Sequence, residues 1–249
     1  MKYILPDYGR WTLYAVGMLA SNNASQQFKD QEIECFGTGA MIAIYHAIGY
    51  SFEEIATLFI QTQMHRGIGP LSLGYDRSKN TFESVTEYMI EALRQKNENV
   101  NTLGELLEVS NYNVTILTSY INNEGEVGLE SINSMTHSTM NIVDAIHLTM
   151  STPLVSGSAM MEDKAYFSPL FIMSDLGSLS VGGMVKSNDI DVHLYNNMNR
   201  TYRRVEGIWN KSLDQIEWDA DMYLQGISTV KRNKLFATEP LNAEVNNDK

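Results

Sequence analysis

The first apolar run, K-Y-I-L at residues 2–5, is broken at once by Asp7-Tyr8-Gly9. A run this short before turn formers reads as a buried strand. Apolar residues then dominate from Trp11 to Ala20, long enough for a helix with Leu13, Val16, Gly17 and Leu19 on its inner side. A polar loop is predicted at Asn22, Asn23 and Ser25. Ile33 to Phe36 repeats the short-strand pattern, and Gly39 to Ile48 the helical one. Strand, helix, strand, helix is the order of an α/β protein, with helices packed on the faces of a sheet.

Gly49 is placed to cap the second helix at its C-terminus. Ser51 and Glu54, three residues apart, form a capping box for the next, which turns Ile55, Leu58 and Phe59 inward. Residues 66–81 are rich in turn formers and read as a loop. Amphipathic helices follow near 82–95 and 102–109, then a strand from Val114 to Tyr120 and a turn, N-N-E-G, at 122–125. Met140 to Met150 is helical in pattern, and Pro153 stops it. M-E-D-K at 161–164 reads as a solvated loop, while Phe167–Met173 and Ser178–Val181 are strand-like. Ser212 caps a last helix reaching about Arg232. No repeat or separating linker is visible, so a single domain over 1–240 and a loose polar tail over 241–249 are expected.

Composition narrows the partners. The chain has 249 residues, 43% of them hydrophobic, and a formal net charge of −12. Such a surface repels phosphate backbones and offers no basic patch to an anionic membrane, so nucleic acid is not an expected partner. Cys35 is the single cysteine, which excludes an internal disulfide and a cysteine-based zinc site. His46 and His147 sit on separate helical stretches and no H-E-x-x-H spacing occurs. No cofactor and no metal are expected. The N-terminus lacks a signal-peptide pattern, and no apolar run approaches the roughly 20 residues of a membrane span. The expected location is the cytoplasm, or a particle assembled inside a cell, rather than secretion by a classical signal.

The segment C-F-G-T-G-A at 35–40 joins the second strand to its helix. It has the layout of a hydrolase nucleophile elbow, G-x-S-x-G, with Gly37 at the tip where the serine belongs. The stretch continues M-I-A, then A-I-G-Y-S-F-E-E-I, and in this it resembles the patatin-like phospholipase family. Three further blocks follow in the family's order. I-L-P-D-Y-G-R-W stands where the family has its glycine-rich oxyanion loop, and V-T-I-L-T-S leads to A-I-H-L-T-M-S-T-P at 145–153. V-G-G-M-V-K-S-N-D at 181–189 stands at the family's D-G-G block. The resemblance spans residues 2–195. It implies a three-layer sandwich: a central, largely parallel sheet with helices on both faces.

The same resemblance implies that the chemistry is gone. The family uses a serine–aspartate dyad and backbone oxyanion donors. Here Gly37 occupies the nucleophile position, Val181 the acid position, and Asp7, Tyr8 and Gly9 the oxyanion loop. Three function classes follow. The first is a non-catalytic domain serving assembly or protein interaction, by self-assembly or within a larger particle. The 14 methionines suit a viral or phage particle component. The second is a lipid- or acyl-binding domain that keeps an open apolar pocket near Gly37. The third is an acyl hydrolase with a displaced nucleophile, Thr38 or Cys35, served by His46 or His147 as base. The first is favoured, with Tyr8 and Phe36 plugging the former cleft.

Overall fold

The structure, a computed structural model, describes residues 2–8, 12–22, 24–62, 81–151, 159–169 and 220–228. Three short apolar segments pair in parallel: β1 (Lys2–Leu5), β2 (Glu32–Cys35) and β3 (Asn113–Asn122). Leu5 lies beside Cys35, and Cys35 beside Ile116. β4 (Val127–Asn133) runs antiparallel to β3 through residues Thr115–Ile121. β5 (Ala159–Met161) and β6 (Lys164–Phe167) form a hairpin, and β6 pairs antiparallel with Ser119–Asn122 of β3. Since β4 overlaps the stretches of β3 paired with both β2 and β6, those two strands share the opposite edge, one after the other.

The protein is therefore α/β, as expected, but the described sheet is mixed rather than largely parallel: two pairings are parallel and three antiparallel. β4 escapes a sequence reading because its alternation switches face: Val127 and Leu129 lie on one side of the strand, and Ile132, its one buried residue, lies on the other. The N-N-E-G turn before it is present. Asn122 Oδ1 accepts from the N–H groups of Glu124 and Glu126, and Gly125 takes φ 81°. The acids of M-E-D-K are solvated, as expected, and form the tight turn of the β5–β6 hairpin, with Glu162 at φ 53°. β6 ends at Phe167, where a strand was expected to begin. The expected strand at 178–181, the start of the last helix at Ser212, most of the 66–81 loop and the 241–249 tail lie outside the described residues.

The helices are α1 (Thr12–Ser21), α2 (Ala24–Phe28), α3 (Thr38–Ala47), α4 (Phe52–Thr62), α5 (Thr81–Lys96), α6 (Leu103–Val109), α7 (Ile142–Met150) and α8 over 220–228. α2 corrects the polar loop expected at 22–25. Phe28 is buried there against Tyr3, Phe52 and Tyr112, and this anchor folds the short segment into a helical turn. The Ser51–Glu54 capping box of α4 is formed in both directions, at 3.1 and 2.7 Å. Thr102 and Glu105 make another for α6, and Asn141 caps α7. α3 and α7 pack on the sheet face that carries Leu5, Cys35 and Ile116, in one continuous core. α8 crosses α1 at two glycines: a Cβ on Gly17 would overlap the Tyr223 carbonyl, and one on Gly226 the Tyr14 carbonyl.

Candidate functional site

The site grows from the end of β2. Phe36 N donates to Leu5 O at 3.0 Å, carrying the parallel ladder one residue past the strand. Gly37 then turns the chain with φ 58° and ψ −134°, a conformation that favours glycine because it has no Cβ to clash. Gly39 N donates to Phe36 O and Ala40 N to Gly37 O, both at 3.1 Å, and α3 begins at Thr38. Gly39 is required for a different reason: a Cβ there would overlap the carbonyls of Leu5 and Pro6. The strand–turn–helix layout read from C-F-G-T-G-A is thus present, with Gly37 at its tip and buried.

Asp7 fills the space beside that tip. A Cβ on Gly37 would overlap Asp7 Cβ and Cγ and stand 2.9 Å from Oδ2. The carboxylate is held at the start of α3: Asp7 Oδ1 accepts from Thr38 Oγ1 at 2.9 Å and from Thr38 N at 3.3 Å. Tyr8 N in turn donates to Thr38 Oγ1 at 2.9 Å. An anion at a helix N-terminus is favoured by the exposed N–H groups and the helix dipole. Asp7 therefore caps the start of α3. Tyr8 and Phe36 are both fully buried.

A second layer closes the site from the far side. Gly37 N donates to Thr149 Oγ1 at 3.2 Å, and Thr149 Oγ1 donates to Leu117 O at 2.6 Å. Thr118 Oγ1 lies 2.9 Å from Leu148 O and 3.2 Å from Phe167 O. Residues 117 and 118 fall where β2 has ended and β6 has not begun along the same edge of β3. Buried backbone groups at such a break need partners: Thr149 supplies one to Leu117 O, and the Thr118 hydroxyl reaches the carbonyls of Leu148 and Phe167 on the neighbouring segments. Thr149 lies within A-I-H-L-T-M-S-T-P, but nothing in the sequence marks it as a neighbour of Gly37.

The residues weighed as replacement nucleophiles are differently placed. Thr38 Oγ1 and the Asp7 carboxylate form a hydroxyl–carboxylate pair, but Thr38 is fully buried and Asp7 only 3% exposed. Cys35 is buried on β2 with Sγ 3.6 Å from Thr115 O. Burial, with the neighbouring Glu34 carboxylate adding to it, pushes its thiol far above the ordinary range, so no thiolate forms near neutrality.

His46 has a partner that the sequence did not reveal: its Nε2 is 2.8 Å from the exposed Ser25 Oγ. Its Nδ1 is 2.8 Å from Tyr112 Oη, which donates to Ala43 O at 2.8 Å. Tyr112 has thus spent its proton, so Nδ1 donates and Nε2 accepts from Ser25. Burial lowers the His46 pKa to about 4. The ring stacks on Phe52 with centroids 4.5 Å apart. The contact ties α2 to α3, and the group orienting the ring is a phenol, with no carboxylate to stabilise an imidazolium. His147 Nε2 is 3.0 Å from Thr86 Oγ1, and burial lowers its pKa as well.

Val181 and Gly9, with Gly182 and Gly183, lie outside the described residues. Among the described residues no group of three or more His, Cys, Asp or Glu is arranged to hold a metal, and no helix is long and apolar enough to cross a membrane. A cleft of about 620 Å³ lies between the 136–141 segment, α7 and β5, lined in part by His137, Asp144 and His147; Gly37 is not in its wall. The chain matches no protein-family model and no curated protein.

Proposed function

We propose that this chain is a non-catalytic relative of the patatin-like phospholipases, acting as an assembly or protein-interaction component. One observation carries the reading: the Asp7 side chain occupies the volume a nucleophile on residue 37 would need, and two contacts from Thr38 lock it there. A carboxylate at that position would also repel a developing oxyanion, the reverse of what acyl transfer requires. The three-layer form of the fold, with helices on both faces of the sheet, belongs to this proposal. So does a role in a particle, for which the methionine-rich composition and acidic surface are the support.

The displaced-nucleophile reading draws on two hydroxyls next to bases, Thr38 beside Asp7 and Ser25 beside His46. Thr38 is fully buried, and the ring of His46 beside Ser25 is oriented by the Tyr112 phenol rather than by a carboxylate. The lipid-binding reading needs open apolar space at Gly37, where the polar Asp7 side chain stands instead. The test is direct. Purified protein is expected to leave short p-nitrophenyl esters and phospholipid vesicles unhydrolysed and to resist a fluorophosphonate probe. Turnover lost in Thr38→Ala or Ser25→Ala, or a co-purifying acyl chain seen by native mass spectrometry, would replace this reading with one of the alternatives.

A further inference from the structure

Nine large apolar side chains are exposed among the described residues, and four of them share one face at one end of the sheet. The register shows how. Met160 of β5 lies beside Ala165 of β6, Ala165 beside Ile121 of β3, and Ile121 beside Val127 of β4. Leu129 stands two residues along β4, on the same face. Met160 is 67% exposed, Val127 53%, Leu129 47% and Ile121 41%. Single exposed apolar residues are ordinary, but a contiguous row marks a contact surface.

Charge around the row selects the partner. Asn122 pairs with Lys164, so the β3–β4 and β5–β6 turns project from the same end of the sheet. They carry Glu124, Glu126, Glu162 and Asp163, all exposed. The nearby lysine, Lys164, points to the opposite face, where Glu130 takes its charge at 2.8 Å. The result is an apolar strip framed by four exposed carboxylates, acidic in sum although Lys164 also feels Glu162. It repels an anionic membrane and equally a second copy carrying the same carboxylates. Four strands span about 14 Å, which matches roughly nine residues of helix laid across them.

We infer that this end of the sheet docks a basic amphipathic helix of another protein, its apolar side on the Met160–Val127 row and its lysines or arginines against the two acidic turns. This rests on the reading of the chain as an interaction component and names the chemistry of its partner. The test titrates the full chain into a fluorescent helical peptide of about 14 residues, leucines on one side and lysines on the other, followed by anisotropy. A second peptide carries glutamates in place of the lysines. The lysine peptide is expected to bind at least about tenfold more tightly than the glutamate peptide.

Met160→Lys, at the most exposed position of the row, should weaken the lysine peptide about tenfold. The combined Glu124→Gln, Glu126→Gln, Glu162→Gln and Asp163→Asn change should do the same. Leu107→Asp, at an exposed apolar position on α6, should leave binding unchanged. Equal binding of the two peptides, or as large a loss in the Leu107 variant as in the Met160 variant, overturns the inference. Ester turnover by the same preparation is read separately and overturns the non-catalytic reading, so the two failures are told apart.

Discussion

A side chain at position 37 needs a backbone at negative φ and room beside Asp7, and the protein offers neither. Gly37→Ser should therefore destabilise rather than restore a hydrolase. Backbone strain at such a position costs of order 1–3 kcal/mol, and overpacking adds a similar amount. A loss of about 2–6 kcal/mol in urea unfolding is expected. Asp7→Gly alone removes the α3 cap and should cost about 1 kcal/mol. Combined, the two changes should cost less than their sum, because the glycine at 7 vacates the space the serine needs. Additivity of the two would show that Asp7 does not stand where the structure places it.

At the scale of elements, α1 and α8 meet through Gly17 and Gly226, each pressed on a carbonyl of the other helix. In an exposed helix Gly→Ala stabilises by about 1 kcal/mol through propensity. Here the sign should reverse. Gly17→Ala and Gly226→Ala are each expected to lower stability by about 1–3 kcal/mol, since a backbone carbonyl cannot swing aside as a flexible side chain can. A stabilised variant in thermal or urea unfolding would mean that the helices do not cross at these residues. Both glycines are visible in the sequence, Gly17 as an inner residue of the first helix, but their pairing across more than 200 positions is not. The strands divide in the same way. β1, β2 and the first part of β3 are legible because successive residues there, Tyr3–Leu5, Ile33–Cys35 and Val114–Ser119, are buried. β4 and β5 are held by cross-strand pairing with β3 and β6, so their own pattern is weak.

Over the whole molecule, the partly buried His46 and His147 couple stability to pH. His46 falls from an ordinary 6.5 to about 4 because burial penalises its charged form. The unfolded chain then binds a proton that the folded chain refuses between these values. Its contribution is fully present above pH 6.5 and is lost as pH falls through 4, about 3 kcal/mol in all. His147 is lowered in the same direction and adds to the slope. Urea unfolding at pH 7 and pH 5 should show the loss, and His46→Phe, which keeps the stack on Phe52, should reduce it. An unchanged slope in that variant would place the titration elsewhere. The α/β order, the capping box at Ser51, the strand–turn–helix at Gly37 and the lack of a nucleophilic side chain at its tip are all legible in the sequence, because each is set by residues a few positions apart. That Asp7 fills the space beside Gly37, that Thr149 bonds its N–H, that His46 meets Ser25, and that Met160 and Val127 fall in one row are set by the tertiary fold. Those contacts join residues 21 to 112 positions apart, or strands in register, and no local pattern specifies such distances.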